Sequence, residues 1–464
     1  MHQSNTSATS ESELHITNPS DGTSVGSAAI TSEREIRACV QRAREAWPAW
    51  RATPPAQRGQ ALRAAARALA EHEAEVADLH HRETGRDLEG ALGGVRAAVD
   101  TLLQYSELAP VHRGRSLLGP GTALDVMRPE PRGVAAIVTP WNDPVAVSAG
   151  LIGAALAMGN TVVHKPSERC PHLGALLGAV LGEHLPAGVL ATVTGGAREG
   201  EMLVGSMEID LVAHVGSTHA GERIARSVAL TGAHLVRENG GNDALIVDAG
   251  VPVPWAAEQA AIGAFTNGGQ ICTSVERIFV HRDVAEAFVE ALAAEAERWN
   301  AEGRVVPLVD ERMRESVHDQ VRAAADRGAR ALVGGVVPEG PGSAYPATVL
   351  VDVTPEMTVM REETFGPVAP VMVVADFAEG LERASADEYG LSASVLTPRL
   401  DHAHEAIDRL AVGTVKINHV FGGAPGGAAQ PRGRSGAGFG YGPELLDEMS
   451  TVKVAHLEAI PGAE

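Results

Sequence analysis

Apolar residues recur at helical spacing over residues 32 to 108, where Ala, Leu, Arg and Glu dominate the sequence. Leu62 and Ala66, four residues apart, illustrate the stripe that an amphipathic helix buries. Ser32 stands three residues before Glu35, the capping-box pattern of a helix start. The pattern therefore predicts a series of packed helices in this part of the chain.

From Pro131 onward, short apolar runs alternate with helical stretches. Residues 133–138 indicate a buried strand, 145–158 an apolar helix ending at Gly159-Asn160, and 161–163 a second strand. The same alternation predicts strands at 189–193, 211–215, 234–237, 244–247, 277–281 and 368–374, with helices at 285–299 and 313–327. Strands that alternate with helices predict an α/β fold with parallel sheets.

Three other segments carry predictions. The first 13 residues, rich in Ser and Thr, are expected to form a flexible tail without the apolar stretch of a secretory signal. Residues 422–442, rich in Gly, Pro and Arg, are expected to form a long functional loop. Residues 449–460 are expected to form a terminal strand.

Composition excludes several classes of protein. The 464 residues contain 38 Lys+Arg and 59 Asp+Glu, so the formal charge of −21 disfavours nucleic-acid binding. Three dispersed cysteines form neither a disulfide framework nor a CxxC zinc pattern and indicate a reducing compartment, with the cytoplasm as the expected location. The apolar run 145–159 is shorter than the ~20 residues that span a membrane, so we expect it in a soluble core.

Cys272 lies in the segment Asn267-Gly-Gly-Gln-Ile-Cys272-Thr. A lone cysteine is most often a small buried apolar residue. Here the paired glycines allow a sharp bend, and the polar neighbours suit a nucleophile. Cys39, within a helix, and Cys170, before a proline, lack this setting and are expected to be structural.

Two polar groups at predicted strand ends suit a reaction at such a cysteine. Glu238, followed by Asn239 and two glycines, is either a turn acid or a general base that activates water. Asn142 in the turn Thr139–Asn142 is either an ordinary turn residue or a hydrogen-bond donor to a developing oxyanion.

Two further segments suit a nucleotide. Lys165, one of only three lysines, stands close to Glu168 at the end of a predicted strand. A surface ion pair is the ordinary interpretation; contact with ribose hydroxyls is the alternative. The glycine-bounded turn Gly216–Gly221 leads into a helix, where backbone N–H groups suit a phosphate, although it does not match G-x-G-x-x-G.

Together these segments resemble the NAD(P)-dependent aldehyde dehydrogenase superfamily, over about residues 15 to 453. Eight motifs occur in the family's order, at Glu83–Arg86, Thr139–Asn142, His164–Glu168, Gly216–Gly221, Glu238–Gly241, Gly268–Cys272, Glu362–Pro367 and Gly390–Ser394. The resemblance implies a Rossmann-type cofactor domain, an α/β catalytic domain and a small oligomerisation element. We predict these at 14–116 with 133–240, at 241–445, and at 117–132 with 446–464, respectively.

The resemblance also implies a mechanism. Cys272 would attack an aldehyde, and the Asn142 amide with the Cys272 backbone N–H would hold the oxyanion. Hydride transfer to the cofactor would leave a thioester, and Glu238 would activate the water that releases the acid. The cofactor-binding residues that the resemblance implies are Trp141, Lys165, Ser167, Glu168, Gly216, Ser217, Thr218, Gly221, Gly240, Glu363 and Phe365. Because the anionic Glu168 would repel a 2′-phosphate, we expect NAD, with NADP as the alternative.

Several positions depart from the family pattern. Asn239 replaces a usual leucine, Asp143 an apolar residue and Gly440 a common glutamate, and the 422–434 stretch is not recognisable. The resemblance implies that positions 143, 147 and 150 line the substrate tunnel, and Asp143, Val147 and Gly150 there predict a roomy pocket for a bulky or polar aldehyde.

The predicted partners are a small aldehyde and further copies of this chain, as a homodimer or homotetramer, without nucleic acid or membrane. No metal site is predicted, because His80-His81 and His402-x-His404 look like surface histidines of helices and no HExxH occurs. The rival functions are a CoA-acylating aldehyde dehydrogenase, which the presence of Glu238 disfavours, and a non-catalytic binding protein on the same fold.

Overall fold

The computed structural model describes residues 12–119, 123–422 and 430–460 of the chain. The helices in these residues are α1 (Glu33–Ala52), α2 (Pro55–Glu71), α3 (Glu73–Thr84), α4 (Leu88–Leu108), α5 (Pro144–Met158), α6 (Pro171–Gly182), α7 (Ala197–Val204), α8 (Thr218–Thr231), α9 (Val253–Phe265), α10 (Ala285–Ala301), α11 (Glu311–Asp326), α12 (Phe377–Ser385), α13 (Leu400–Arg409) and α14 (Leu445–Glu448). Short 3₁₀ turns cover Thr266–Gly269, Thr358–Met360 and Gly433–Ser435.

The same residues contain eighteen strands, most of which alternate with these helices along the chain. They are β1 (Glu13–Thr17), β2 (Ser24–Ala29), β3 (Arg115–Leu117), β4 (Ala123–Pro131), β5 (Val134–Val138), β6 (Thr161–Lys165), β7 (Leu190–Thr192), β8 (Leu211–Val215), β9 (His234–Glu238), β10 (Asp243–Val247), β11 (Val275–His281), β12 (Arg330–Val333), β13 (Thr348–Val351), β14 (Val368–Val374), β15 (Ser392–Leu396), β16 (Thr414–Ile417), β17 (Gly436–Ala437) and β18 (Ser450–Glu458).

Two large sheets confirm the predicted α/β fold. The first has the order β17-β9-β8-β5-β6-β7, and β5 to β9 are parallel. Strand β6 lies on one side of β5 and β8 on the other, so the strand order reverses beside β5. Ligands of open α/β sheets bind in the crevice at such a reversal, beyond the carboxyl ends of the strands.

The second large sheet has the order β12-β13-β14-β11-β10-β15-β16, with only the edge strand β12 antiparallel to its neighbour. A third sheet joins β18, β4 and β3, where β18 pairs with β4 over nine residues on each strand. The predicted terminal strand is thus present and lies beside segment 123–131. The proposed division into domains stays a prediction.

Helix α5 lies in the core, as predicted from its apolar sequence. Thirteen of its fifteen residues are buried, since small residues on all faces let α4 and the first sheet pack closely around it. Gly159 ends the helix in the left-handed conformation (φ 91°), as its position in the sequence predicts. At α1, Ser32 and Glu35 form the predicted capping box.

Two predictions need correction. His80, expected on the surface of a helix, is fully buried in α3, and burial lowers the pKa of its imidazole to about 3. The segment 422–442, expected to be a loop throughout, contains β17, which pairs antiparallel with the end of β9. Residues 423–429 of that segment, and the first eleven residues of the predicted tail, lie outside the described residues.

Candidate active site

A cleft of about 720 Å³ opens beyond the carboxyl ends of β5, β6 and β8 and reaches the segments that precede β11 and β14. Twelve of the fourteen predicted site residues line it, namely Trp141, Asn142, Lys165, Ser167, Glu168, Gly216, Ser217, Glu238, Gly240, Cys272, Glu363 and Phe365. Thr218 and Gly221 do not, because they are buried on α8 behind the cleft wall. The structure thus brings together segments separated by more than 200 residues of sequence.

The bend before Cys272 needs its two glycines. Asn267, Gly268 and Gly269 have φ values of 54°, 63° and 73°, the left-handed region that glycine adopts freely. A Cβ on Gly269 would lie 2.1 Å from the carbonyl oxygen of Gly366, so the turn packs directly on the segment after Phe365. The predicted sharp bend is therefore present.

Gln270, which the sequence analysis did not single out, fixes this turn to a distant segment. Its Nε2 donates to the carbonyl oxygens of Asn267 (2.9 Å) and Pro307 (3.2 Å). Its Oε1 accepts the backbone N–H of Val309 at 2.9 Å. Only the folded chain shows these partners, because 307–309 lies far along the sequence.

Cys272 and Glu238 meet in the cleft. The Cys272 Sγ lies 3.6 Å from Oε1 of Glu238, a distance at which the thiol donates a weak hydrogen bond. Burial, followed by the charge of Glu238, raises the pKa of the thiol well above its usual value. Burial also raises the pKa of Glu238, which the hydrogen bond from Cys272 opposes. This arrangement places the sulfur within reach of a carboxyl group to which its proton can pass.

Asn142 lies beside Cys272 in the turn after β5. Its Nδ2 donates to the backbone carbonyl oxygen of Gln270 at 3.0 Å, and the backbone carbonyl oxygen of Asn142 accepts from Nη1 of Arg86 at 2.9 Å. Arg86 belongs to the first of the eight motifs and also lines the cleft. The bond to Gln270 holds the amide at the turn that carries Cys272. A side-chain amide so placed has a second N–H with which it could donate to an oxyanion.

The cleft wall near β6 and β8 carries the groups predicted for a nucleotide. Lys165 ends β6 with only 4% of its surface exposed, and its Nζ donates to the carbonyl oxygen of Pro166 at 2.8 Å. Burial lowers the pKa of Lys165, and the nearby Glu168 opposes that shift. Ser217 caps α8, with its Oγ accepting the N–H of Ala220 at 3.3 Å, so the helix N-terminus faces the cleft.

Glu363 and Phe365 approach the cleft from the other side. Oε1 of Glu363 accepts the backbone N–H of Gly241 at 3.0 Å, and burial raises the pKa of Glu363 to about 8. Phe365 packs edge-on against Trp141 with the ring centroids 5.7 Å apart. Its φ of 53° is unusual for a residue with a side chain, so another group must hold this segment.

That group is Glu276, which the sequence analysis missed. It is buried four residues beyond Cys272, and its two carboxylate oxygens accept the backbone N–H groups of Thr364 (2.6 Å) and Phe365 (2.9 Å). The charge of Glu363 adds to burial in raising the pKa of Glu276. The signal available in the sequence was a charged residue at the start of a buried strand, only four positions after Cys272.

Asp143 and Val147 line the cleft beyond Asn142. The Oδ1 of Asp143 is buried, has no hydrogen-bond partner among the described residues, and lies 3.0 Å from where a Cβ on Gly94 would stand. Burial raises the pKa of Asp143, and the charge of Arg86 opposes this shift. Gly150 is buried inside α5 and does not line the cleft.

The other two cysteines are buried, as expected for structural residues. Across residues 12–119, 123–422 and 430–460, no group of three His, Cys, Asp or Glu side chains is arranged to hold a metal ion. In the same residues, no helix combines the length and apolar character needed to cross a membrane.

Comparison with known proteins identifies the class. The model of the aldehyde dehydrogenase family matches residues 6–455, so the chain belongs to this family of enzymes. The chain is 37% identical over 429 residues to the alpha-ketoglutarate semialdehyde dehydrogenase of Haloferax volcanii, covering 89% of this chain and 88% of that protein.

Two other similar proteins extend the comparison. The benzaldehyde dehydrogenase [NAD(+)] of Pseudomonas putida is 33% identical, with 94% of this chain and 91% of that protein covered. A solved structure described as an E. coli NADP dependent enzyme superposes with a TM-score of 0.93 at 29% identity, covering 96% and 95% of the two chains. The fold of this chain is therefore the aldehyde dehydrogenase fold.

Proposed function

We propose that this enzyme oxidises an aldehyde to its carboxylic acid with NAD(P)⁺ through a covalent intermediate on Cys272. The observation that carries the proposal is the 3.6 Å contact between the Cys272 sulfur and the Glu238 carboxylate, inside a cleft that Asn142 also lines. A nucleophile, a base within reach of it and an oxyanion donor are the three groups that acyl chemistry requires.

The residues of the cleft suit a dinucleotide. The net charge of −21 makes the protein surface as a whole unfavourable for phosphates, so local positive groups have to bind them. The N-terminus of α8 and the buried Lys165 supply that local positive potential. Glu168 and Glu363 can accept hydrogen bonds from ribose hydroxyls. When bound, the nicotinamide accepts the hydride that leaves the substrate carbon.

The residues of the chain perform the other steps. Glu238 takes the proton from the Cys272 thiol, and the thiolate attacks the carbonyl carbon to give a thiohemiacetal. The Asn142 amide and the Cys272 backbone N–H stabilise the oxyanion. Loss of hydride leaves a thioester. Once Glu238 has released its first proton to solvent, it removes a proton from water, which attacks the thioester. The acid leaves, and the departing thiolate takes the second proton from Glu238, which restores the thiol.

We propose NAD as the preferred cofactor, since the carboxylate of Glu168 would repel a 2′-phosphate near the adenosine ribose. The relatives reported above include one named for NAD and one described as NADP dependent, which supports testing both. A homodimer or homotetramer in the cytoplasm remains our proposal for its state in the cell.

For the substrate we propose a bulky or polar aldehyde. Asp143 and Val147 line the cleft where larger apolar residues would narrow it, and Arg86 adds a second polar side chain. The relatives named for ketoglutarate semialdehyde and for benzaldehyde indicate polar and bulky substrates, respectively, for those enzymes.

A panel of aldehydes, each assayed with NAD and with NADP and without CoA, tests the function. We expect NADH formation with an equal amount of acid released, and higher kcat/KM for bulky, acidic or amino-aldehydes than for acetaldehyde. Strict dependence on CoA would favour the acylating alternative. A clear preference for small aliphatic aldehydes would contradict the substrate class while leaving the reaction class intact.

A substitution at Glu276 tests the cofactor side of the site. In Glu276→Gln one oxygen acceptor becomes an amide N–H₂, so one backbone N–H of Thr364 or Phe365 loses its partner, which costs about 1–3 kcal/mol. We expect the dissociation constant of NAD to rise by roughly tenfold as this segment loosens. A titration of the variant and of the wild type with NAD measures the two dissociation constants.

Glu362→Gln is the matched control. It makes the same chemical change as Glu276→Gln, but at an exposed residue close to the same segment. It should leave NAD binding within twofold of the wild type. Equal affinities in all three proteins would contradict the role given to Glu276.

A further inference from the structure

Residue 440 is a glycine, and the carboxylate of Glu238 occupies the space that a side chain at this position would fill. A Cβ built on Gly440 would stand 2.2 Å from Oε2 of Glu238, much closer than any real contact. The other oxygen, Oε1, is the one that contacts the Cys272 sulfur at 3.6 Å. The carboxylate is therefore held between the nucleophile and the backbone of Gly440.

Position 440 cannot retreat from this contact. The preceding residue, Phe439, donates its backbone N–H to Oε1 of Glu448 at 3.2 Å. The carbonyl oxygen of Gly442, two residues later, accepts the hydroxyl of the buried Tyr105 at 3.1 Å. Contacts on both sides thus fix the backbone that faces Glu238.

The segment before Gly440 is also joined to the strand that carries the base. In β17, Gly436 pairs with Glu238 itself. The backbone N–H of Asn239 donates to the carbonyl oxygen of Ser435 at 2.8 Å, and its Nδ2 donates to that of Arg434 at 2.7 Å. Asn239, where a leucine is usual in the family, therefore connects the base to the segment that contains Gly440.

We propose that Gly440 is a positioning residue, whose missing side chain provides the space in which the Glu238 carboxylate rests against the Cys272 thiol. The inference rests on the proposed role of Glu238 as the base. The proposal accounts for both departures from the family pattern, Asn239 and Gly440. Asn239 holds the segment 434–440 beside the base, and Gly440 leaves room there for the carboxylate of Glu238.

An alanine at position 440 acts on Glu238 rather than on the backbone. Gly438 and Gly442 have φ values of 84° and 83°, whereas Gly440 is outside the left-handed region, so its backbone accepts a Cβ. The clashing atom is the end of a flexible side chain, which can move. Because the sulfur blocks the opposite direction, the carboxylate of Gly440→Ala has to swing out of the gap.

The experiment compares Gly440→Ala with the wild type in steady-state turnover and in the pH profile of Cys272 alkylation by iodoacetamide. A displacement of a reacting group by about 1 Å costs up to ~10²-fold, so we expect turnover to fall between about tenfold and 10²-fold. We expect the alkylation profile to move to lower pH, because the Glu238 charge that raises the pKa of Cys272 moves away.

The other charged groups near the sulfur stay in place in this variant. Asp243 and Glu363 raise the pKa of Cys272, and Lys416 carries the opposing charge. Burial, followed by the charges of Glu238 and Cys272, raises the pKa of Tyr441. Gly93→Ala, on an exposed face of α4 with no atom within 4 Å of the new Cβ, is the control and should behave as the wild type.

A double variant separates positioning from general damage. Glu238→Gln removes the charged base on which Gly440 is proposed to act. The double variant should therefore have the same turnover as Glu238→Gln alone. Its Cys272 alkylation should also show the same dependence on pH as that of Glu238→Gln. A further loss as large as in the wild-type background would overturn the proposal, as would a Gly440→Ala enzyme with wild-type turnover and alkylation. Full turnover by Glu238→Gln alone would instead refute the proposed function of Glu238.

Discussion

Replacement of Cys272 by alanine should abolish aldehyde-dependent NADH formation. Without the sulfur no thiohemiacetal forms, and removal of a catalytic nucleophile costs roughly 10⁴-fold or more in turnover. The substitution leaves the bend at Gly268 and Gly269 intact, so NAD should still bind with nearly wild-type affinity. Initial rates with the best aldehyde of the panel, together with NAD titration, measure both quantities.

Cys39→Ala and Cys170→Ala are the matched controls. Both cysteines are buried away from the cleft, so these enzymes should keep most of their turnover. A Cys272→Ala enzyme that forms NADH at the wild-type rate would remove Cys272 from the mechanism. Equal inactivation of all three variants would point to lost folding rather than lost chemistry.

Replacement of Glu238 by glutamine should stop the reaction after the first turnover. General base catalysis contributes about 10²–10⁴-fold, and a glutamine of the same shape cannot take a proton from water. Because loss of the Glu238 charge lowers the pKa of Cys272, the thiol of this variant can lose its proton to solvent. One equivalent of NADH per active site should therefore form, and the thioester should then accumulate. Stopped-flow NADH absorbance and the mass of the intact protein detect these two results.

Hydroxylamine provides the control for that variant. As a strong nucleophile it attacks the thioester without a base, so turnover should recover with a hydroxamate as product. The alkylation profile of Cys272 should also move to lower pH, since loss of the Glu238 charge removes a cause that raises the thiol pKa. Steady-state acid release at the wild-type rate would contradict the role of Glu238 as the base.

Most of the helices and strands could be predicted because their signals are local. The strand 368–374 agrees with the structure at both ends, and α5 is the buried apolar helix that its sequence indicates. The segment 422–442 shows the limit of such reasoning. Its Gly and Pro content favours a loop, yet Gly436 pairs with Glu238, nearly two hundred residues away. No local pattern contains that partner.

The candidate site divides in the same way. Cys272, Glu238 and Asn142 stand in recognisable motifs, and the structure brings all three to one cleft. Glu276 was missed because its function is to accept two backbone N–H groups of residues 364 and 365, which its own neighbours in sequence do not reveal. His80 was misplaced because the polar character of its side chain favours the surface, whereas the packing around α3 buries it.

The sequence by itself determined the family and the α/β class and supplied the candidate groups of the site, because periodicity and motifs are properties of neighbouring residues. Only the tertiary structure decided how those groups meet: the contact of Cys272 with Glu238, and the space beside Gly440 that receives the carboxylate. Both depend on the packing of segments 34 and about 200 residues apart in the chain. Such distances follow from the complete fold, since each is set by backbone contacts on several elements at once.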